Sequence, residues 1–290
     1  MNITAEQVKA LRDKTGAGMI DCKKALTEAE GDFEKAIEIL RKKGAAVASK
    51  RADRTANEGI ILTKISDDLK NGLILEINCE TDFVAKNDDF KNFAEYALEA
   101  IWNKKPANLE EALSIEYKNT SIKNELDALV GKIGEKITVS RFGFLSVLNG
   151  IVGDYIHFGS KLGVLVSISA KELSEKDELK LLAKEIAMQI AAMKPGWISR
   201  NEVPKEITDK ELEIYKDLAR KEGKPENILD KIAQGRLNKF YEENCLLEQI
   251  YIKDNNKKIQ TLIDEYNKKY KSEIKVEKMF RYHVSDEVKQ

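Results

Sequence analysis

The fold is decided by Gly59-Ile60-Ile61-Leu62 and, thirteen residues after its glycine, Gly72-Leu73-Ile74-Leu75-Glu76-Ile77. The same arrangement recurs as Gly150-Ile151-Val152 and, again thirteen residues on, Gly163-Val164-Leu165-Val166-Ser167-Ile168. In each copy, two runs of β-branched and aliphatic residues flank a polar turn, which is the pattern of a β-hairpin. An internal repeat of this kind indicates a duplicated structural unit.

An amphipathic helix is predicted after each hairpin, because apolar residues recur there with i, i+3, i+4, i+7 spacing. The two stripes are Phe90, Phe93, Ala94, Ala97, Leu98, Ile101 and Leu179, Leu182, Ala183, Ile186, Ala187, Ile190, Met193. A helix at about 121–135 and a strand at about 137–147 are predicted to connect the copies. The sequence therefore predicts an α+β fold whose core is two related hairpin-plus-helix subdomains, over residues 58–140 and 141–204.

Three short helices are predicted in a small N-terminal module, residues 1–44. Thr4 and Gln7 form a capping box at the first helix, and Asp32 is a suitable N-cap for the third, which is expected to stop at Gly44. Residues 45–57 are predicted to be a basic linker, extended or helical. It is either a solvated connector or a contact for RNA or phosphate.

Residues 205–244 are predicted to form a projecting antiparallel helical hairpin. Thr208 and Glu211 suggest a capping box, and two narrow apolar seams flank the turn Gly223-Lys224-Pro225. Leu218 belongs to the first seam and Ile228 to the second. The C-terminal part, 245–290, is expected to add a helix at 258–270 and a strand at 275–284 that returns to the second subdomain.

Composition favours a binding protein over an enzyme. Of 290 residues, 42% are apolar and 34% charged, with a net charge of −1, which argues against a dedicated nucleic-acid binder. Two histidines and three separated cysteines, without Cys-x-x-Cys, lack the usual spacing of a zinc site. The chain has no P-loop and no Gly-x-Ser-x-Gly elbow. With no signal peptide and no apolar run of about 20 residues, a cytoplasmic protein is expected.

Two further segments are specific enough to indicate a family. They are Leu11-Arg12-Asp13-Lys14-Thr15-Gly16-Ala17-Gly18-Met19-Ile20-Asp21-Cys22-Lys23-Lys24-Ala25-Leu26 and Glu76-Ile77-Asn78-Cys79-Glu80-Thr81-Asp82-Phe83-Val84-Ala85-Lys86-Asn87. Together they closely resemble the bacterial translation elongation factor Ts family. The resemblance continues through His157-Phe158-Gly159, Lys161-Leu162-Gly163-Val164-Leu165-Val166 and Gly223-Lys224-Pro225, and so covers essentially the whole chain.

The resemblance implies a guanine nucleotide exchange factor rather than an enzyme. Members of this family bind the GTPase elongation factor Tu in its GDP form and speed the release of GDP during translation elongation. No cofactor, no metal of its own, no membrane contact and no direct nucleic-acid binding are expected, since the nucleotide site belongs to the partner. The family layout is an N-terminal three-helix module, two related α+β subdomains, a projecting coiled coil and a C-terminal module.

The resemblance also implies which residues disturb the Mg²⁺ and phosphate site of the partner. They are Thr81, Asp82, Phe83 and Val84, with Phe83 as an apolar wedge and Asp82 as a negatively charged hydrogen-bond acceptor. An isolated phenylalanine would more often be a core residue. Here the polar neighbours favour an exposed loop between strand and helix; they are Asp82, Lys86, Asn87, Asp88 and Asp89.

Further partner contacts are implied on the other two folded parts. His157 corresponds to a family histidine on the second subdomain, although a cross-strand structural role fits it equally well. Arg12, Met19 and Lys23 match the N-terminal module, which in the family docks on the nucleotide-binding domain of the GTPase.

Two other functions compete with nucleotide exchange. A three-helix module combined with a coiled coil would suit a scaffold or adaptor, and the basic stretch 41–54 would suit an RNA-binding factor. Stimulated release of fluorescent GDP from elongation factor Tu would separate exchange from both. RNA binding would instead show a steep salt dependence.

Overall fold

The N-terminal module consists of three helices, α1 (Ala5–Thr15), α2 (Met19–Glu28) and α3 (Phe33–Lys50). The structure is a computed structural model, and it describes residues 3–118, 120–171 and 176–287. The predicted capping box is confirmed, since Thr4 accepts from the Gln7 amide and Gln7 accepts from the Thr4 amide. Asp32 caps α3 through the amides of Glu34 and Lys35. A small core holds the three helices together; its buried residues are Val8, Leu11, Cys22, Ala25, Leu26, Ala29 and Ala36.

The prediction that the third helix stops at Gly44 is wrong, because α3 continues to Lys50. Gly44 serves a close helix crossing: a Cβ atom there would lie 2.5 Å from the carbonyl oxygen of Asp127. On the opposite helix, a Cβ atom at Gly131 would lie 3.0 Å from the Cα atom of Gly44. Residues 45–50 of the expected linker are therefore the last part of a helix that packs against the core.

The first subdomain carries a three-stranded antiparallel sheet in the order β1-β2-β5. Its elements are β1 (Glu58–Ile65), β2 (Asn71–Cys79), α4 (Asp82–Lys86), α5 (Asp88–Lys104), α6 (Leu109–Ser114), β3 (Glu116–Tyr117), β4 (Thr120–Ser121), α7 (Ile122–Ile133) and β5 (Ile137–Ser146). β5 pairs with β2 from Ile137 to Ser146, so the expected boundary at residue 140 cuts a strand that belongs to the first sheet. The small elements α4, α6, β3 and β4 were not predicted from the sequence.

The second subdomain carries a sheet of the same form, in the order β6-β7-β10. Its elements are β6 (Gly150–Ile156), β7 (Leu162–Ala170), α8 (Lys176–Met193), α9 (Lys205–Lys221), α10 (Leu229–Asn244), β8 (Ile250–Tyr251), β9 (Asp254–Lys258), α11 (Ile259–Tyr270) and β10 (Ile274–His283). Short 3₁₀ turns lie at Arg200–Glu202, Glu226–Ile228 and Leu246–Glu248. The α+β fold and the return of the last strand to the second sheet are thus confirmed.

The two hairpins have the same register. Gly59 is opposite Asn78 in the first hairpin, and Gly150 is opposite Ser169 in the second, so both members shift by 91 residues (150 − 59 and 169 − 78). These two glycines have φ values of +148° and +145°, and a Cβ atom on either would lie about 2 Å from a carbonyl oxygen of the neighbouring strand. The repeated glycines are therefore required by backbone geometry.

The two sheets pack against each other through a separate apolar cluster. Its buried members are Ile61, Ile74, Leu145, Val152, Leu165, Tyr282 and Val284. Gly72 approaches Val152, and Gly163 approaches Ile61, so the same shift of 91 residues relates these two contacts between the sheets. The duplication therefore extends to the way in which the two subdomains contact each other.

The helical hairpin is formed by α9 and α10, which pack mainly against each other. The predicted capping box at Thr208 is absent, since α9 begins at Lys205 after Pro204 and the Thr208 hydroxyl donates to the Lys205 carbonyl. The seam is narrower than expected: Ala219, Leu229, Ala233 and Leu237 are buried, whereas Leu218 and Ile228 are exposed.

Candidate functional site

The segment after β2 is a short helix, α4, where the sequence predicted an exposed loop. Thr81 is its N-cap, and the Thr81 hydroxyl accepts from the Val84 amide at 3.4 Å. Asp82 and Lys86, one turn apart, form an ion pair of 2.8 Å across the helix surface. These local interactions favour a helical turn over an irregular loop.

The helical turn gives two neighbouring apolar side chains different environments. Phe83 is 81% exposed, which agrees with its predicted exposure. Val84 is buried with Ala85 in the core of the first subdomain, so it does not share that exposure. Of the four predicted site residues, Val84 thus fixes the helix to the core and Phe83 is the apolar group that the helix displays.

Glu135 binds Thr81, the N-cap of α4, through hydrogen bonds from another part of the chain. Its carboxylate accepts from the Thr81 amide at 3.1 Å and from the Thr81 hydroxyl at 2.8 Å. Glu135 lies between α7 and β5, so its backbone position depends on two elements of the core. The short helix α4 that carries Phe83 is therefore held in a fixed position on the core.

Asp82 is a charged surface group. Its pKa lies below the usual value, chiefly because Lys86 donates a hydrogen bond to it, with a further contribution from the positive charge of Lys161. Lys161 belongs to the turn between β6 and β7, so this turn of the second subdomain lies close to α4.

The β6–β7 turn also carries His157. The His157 Nδ1 atom is 2.8 Å from the hydroxyl of Tyr155, and its backbone amide donates to the Leu162 carbonyl. Phe158, the next residue, is 97% exposed. Phe158 is not among the predicted site residues, although an aromatic residue followed by glycine at a hairpin turn indicates an exposed side chain.

Two contacts hold the β6–β7 turn against the first subdomain. Lys161 pairs with Glu58 of β1 at 2.5 Å, and the Ile61 amide donates to the Ser160 carbonyl at 2.6 Å. The structure thus brings the α4 segment and the His157 turn to neighbouring positions. Each of the two displays an exposed phenylalanine.

The predicted residues of the N-terminal module lie on α1 and α2. Arg12, Met19 and Lys23 are all exposed, and Ile20 beside Met19 is 71% exposed. Met19 and Lys23 are one helical turn apart, so they lie on the same face of α2. They form a third exposed group, on a different part of the chain from α4 and the β6–β7 turn.

The thiols are poorly suited to nucleophilic chemistry. Cys22, Cys79 and Cys245 are all buried, and burial raises the pKa of Cys79 to about 12 and that of Cys245 to about 11. A thiol with so high a pKa stays protonated near neutral pH.

Across residues 3–118, 120–171 and 176–287, no group of three His, Cys, Asp or Glu side chains could hold a metal ion. Nor does any helix in these ranges have the length and apolar character needed to cross a membrane.

Comparison with known proteins shows similarity along nearly the whole chain. The family model described as Elongation factor TS matches residues 80–286. A protein named Elongation factor Ts from Chloroherpeton thalassium is 45% identical over 288 residues, which cover 98% of this chain and 99% of that protein. One of the same name from Chlorobium phaeobacteroides is 45% identical over 286 residues, covering 97% and 98%. Another, from Clostridium botulinum, is 46% identical over 281 residues, covering 97% and 92%.

Proposed function

The chain belongs to the elongation factor Ts family, and from this premise we propose that it binds elongation factor Tu and promotes release of GDP by disturbing the Mg²⁺ and phosphate site of that GTPase. Membership of the family supports the broader role of a nucleotide exchange factor in translation elongation. The proposal adds the partner, its GDP form and the residues that act on it.

The observation that carries the proposal is the exposure of Phe83 on a fixed support. A large apolar side chain that is 81% exposed gains nothing from the fold of its own chain. Thr81, Val84 and Glu135 fix the short helix beneath it, so little conformational freedom is lost when Phe83 enters a pocket of a partner. Rigid aromatic residues of this kind are frequent anchors of protein interfaces.

The physical mechanism follows from how a GTPase holds GDP. The nucleotide is bound by a phosphate cradle and by Mg²⁺, which neutralises phosphate charge. Phe83 shifts packed side chains near that site, and Asp82 places a negative charge and hydrogen-bond acceptors beside groups that hold the cation. Because coupling between two ligands is reciprocal, GDP weakens the binding of this chain by the same factor by which this chain weakens GDP.

The other two exposed groups supply affinity in this proposal. The β6–β7 turn, with His157 and Phe158, contacts the partner beside α4. The N-terminal module contacts it through Arg12, Met19 and Lys23. No group of this chain takes part in covalent chemistry, so the protein is proposed not to be an enzyme.

The basic stretch gives little support to the RNA-binding alternative. Four of its six cations pair with carboxylates of this chain: Lys42 with Glu38, Lys43 with Asp21, and both Arg51 and Arg54 with Glu80. These pairs reduce the positive charge that a phosphate backbone would require. We therefore propose no direct nucleic-acid binding.

The test is stopped-flow release of fluorescent GDP from elongation factor Tu at saturating concentrations of this protein and of Phe83→Ala. We expect the maximal release rate to fall by more than about tenfold, because a well-packed interface aromatic contributes about 2 kcal/mol or more. Leu148→Ala is the matched control: Leu148 is 89% exposed, but it precedes β6 and so lies at the opposite end of that strand from His157. A Phe83→Ala protein that melts and exchanges like the parent would refute the assignment.

A further inference from the structure

The residue directly before the predicted exchange motif, Glu80, is the centre of a charged cluster that joins three separate segments. Its carboxylate accepts from the Lys136 amide at 2.6 Å, from Arg51 Nη1 at 3.2 Å and from Arg54 Nη1 at 3.1 Å. These donors hold the pKa of Glu80 below its usual value, the Lys136 amide contributing most. The Glu80 side chain therefore stays ionised and fixed.

Further hydrogen bonds complete the cluster, with the 80–81 segment as donor and the 135–136 segment as acceptor, and with the Lys136 side chain as donor to a third segment. Glu135 accepts from the backbone and hydroxyl of Thr81, while Glu80 accepts from the backbone of Lys136, so the two chain segments bind each other reciprocally. The Lys136 ammonium donates to the carbonyls of Ala52 and Arg54, at 2.6 and 2.8 Å. The turn at 51–54, the junction 80–81 and the loop 135–136 thus form one connected unit.

This unit lies where the N-terminal module meets the core. Arg51 is the C-cap of α3, the long helix of the module, and α3 packs along α7 at Gly44 and Gly131. α7 in turn ends just before Glu135. The C-terminal ends of both helices therefore lie next to the residues that bind Glu80 and Thr81, and Thr81 is two residues before Phe83.

We propose that Glu80 is a positioning residue for Phe83 and that, through Arg51 and Arg54, it couples the placement of Phe83 to the N-terminal module. This inference rests on the proposed function. When the module docks on the partner, α3 and its terminal arginines are fixed as well, and Glu80 transmits that constraint to the start of α4. The basic residues at 51 and 54 then serve this coupling.

The variant Glu80→Gln tests the link to the arginines. The amide oxygen can still accept from the Lys136 backbone, whereas the charge that pairs with Arg51 and Arg54 is lost. We expect the maximal rate of GDP release to fall roughly threefold to tenfold, which is at the lower end of the coupling between residues that share one ion-pair network, with less change in the concentration needed for half-saturation. The combined variant Arg51→Gln, Arg54→Gln should show the same loss, and adding Glu80→Gln to it should cause little further change.

Glu248→Gln is the matched control. Glu248 pairs with Arg200 in the second subdomain, and its side chain is 17% exposed, against 19% for Glu80. A loss of rate in Glu248→Gln equal to that in Glu80→Gln would mean that removal of any half-buried ion pair is sufficient, and the proposal would be overturned. Unchanged exchange in both Glu80→Gln and the arginine double variant would also overturn it.

Two measurements separate positioning from a general effect on stability. Hydrogen exchange of the amides at 82–86 should be faster in Glu80→Gln than in the parent, with no change in the strands of the second sheet. In the Phe83→Ala background, Glu80→Gln should cause no further loss of the stimulated rate; an additional loss would show that Glu80 acts independently of Phe83. If the parent protein fails to stimulate GDP release, the proposed function fails, while the hydrogen-exchange result still decides whether Glu80 fixes this segment.

Discussion

At the scale of single residues, the neighbouring positions 83 and 84 have opposite environments. Val84 is buried and contributes to the core, whereas Phe83 faces outward at the surface. Successive residues of a helix point about 100° apart, so one short turn can both anchor itself and display an aromatic group. Replacing Val84 would therefore disturb the fold, and Phe83 is the position at which binding can be tested separately.

Asp82 is expected to matter less than Phe83. Its carboxylate is paired with Lys86 on the surface, and such pairs contribute little to stability. Asp82→Ala should therefore retain a faster maximal release of GDP than Phe83→Ala in the same stopped-flow assay. Lys86→Ala is the control, because it removes the same ion pair and keeps the carboxylate. Equal losses in Asp82→Ala and Phe83→Ala would assign the main effect to charge.

At the scale of elements, the helical hairpin is joined to the body at its base. Trp197 forms a parallel bridge with Cys245, and the ring of Phe240 lies 6.0 Å from that of Trp197. Beyond this base, α9 and α10 pack mainly on each other. The outer part of the hairpin therefore has few contacts on which the core depends.

Deleting residues 212–238 and closing the gap with a short glycine turn should leave a cooperative thermal transition close to that of the parent. The core clusters of both subdomains lie outside this segment. Phe240→Ala in the full-length chain should lower the melting temperature instead, because removing a partly buried aromatic leaves Trp197 without its neighbour. Circular dichroism melts compare the two, and loss of the transition after the deletion would show that the core depends on the hairpin.

At the scale of the whole molecule, the N-terminal module is continuous with the core. A truncation of residues 1–54 would remove Arg51 and Arg54 from Glu80 and would uncover the face of α7 against which α3 packs. Such a truncation would therefore change partner binding and the support of α4 together. Surface substitutions on α2 separate the two effects.

Met19→Ala combined with Lys23→Ala should weaken binding to elongation factor Tu by roughly tenfold while leaving the maximal rate of exchange nearly unchanged. The two side chains are exposed, so folding should be unaffected. Lys9→Ala on α1 provides a control for loss of one exposed cation. The concentration dependence of GDP release measures both quantities, and a reduced maximal rate with unchanged affinity would contradict an affinity role.

The sequence by itself determined the duplicated hairpins, the amphipathic helices, the helical hairpin and the return of the last strand. Each of these depends on a local pattern: alternating or helical periodicity, or a glycine whose backbone conformation excludes other residues, as at Gly59 and Gly150. The exposure of Phe83 was also predictable, because its polar neighbours argued against burial.

Only the tertiary structure decided how these parts contact one another. From the sequence, Gly44 was expected to end a helix, yet the absence of a side chain there permits α3 to cross α7 closely. Close packing against a helix far away in the chain has no signature in the neighbouring residues. Arg51 and Arg54 were predicted to lie in a basic linker, although their partner, Glu80, lies 26 to 29 residues away in the sequence. The nearness of the His157 turn to Asp82 likewise depends on contacts between the two sheets. Such contacts are set by packing between segments far apart in the chain, which residue periodicity does not encode.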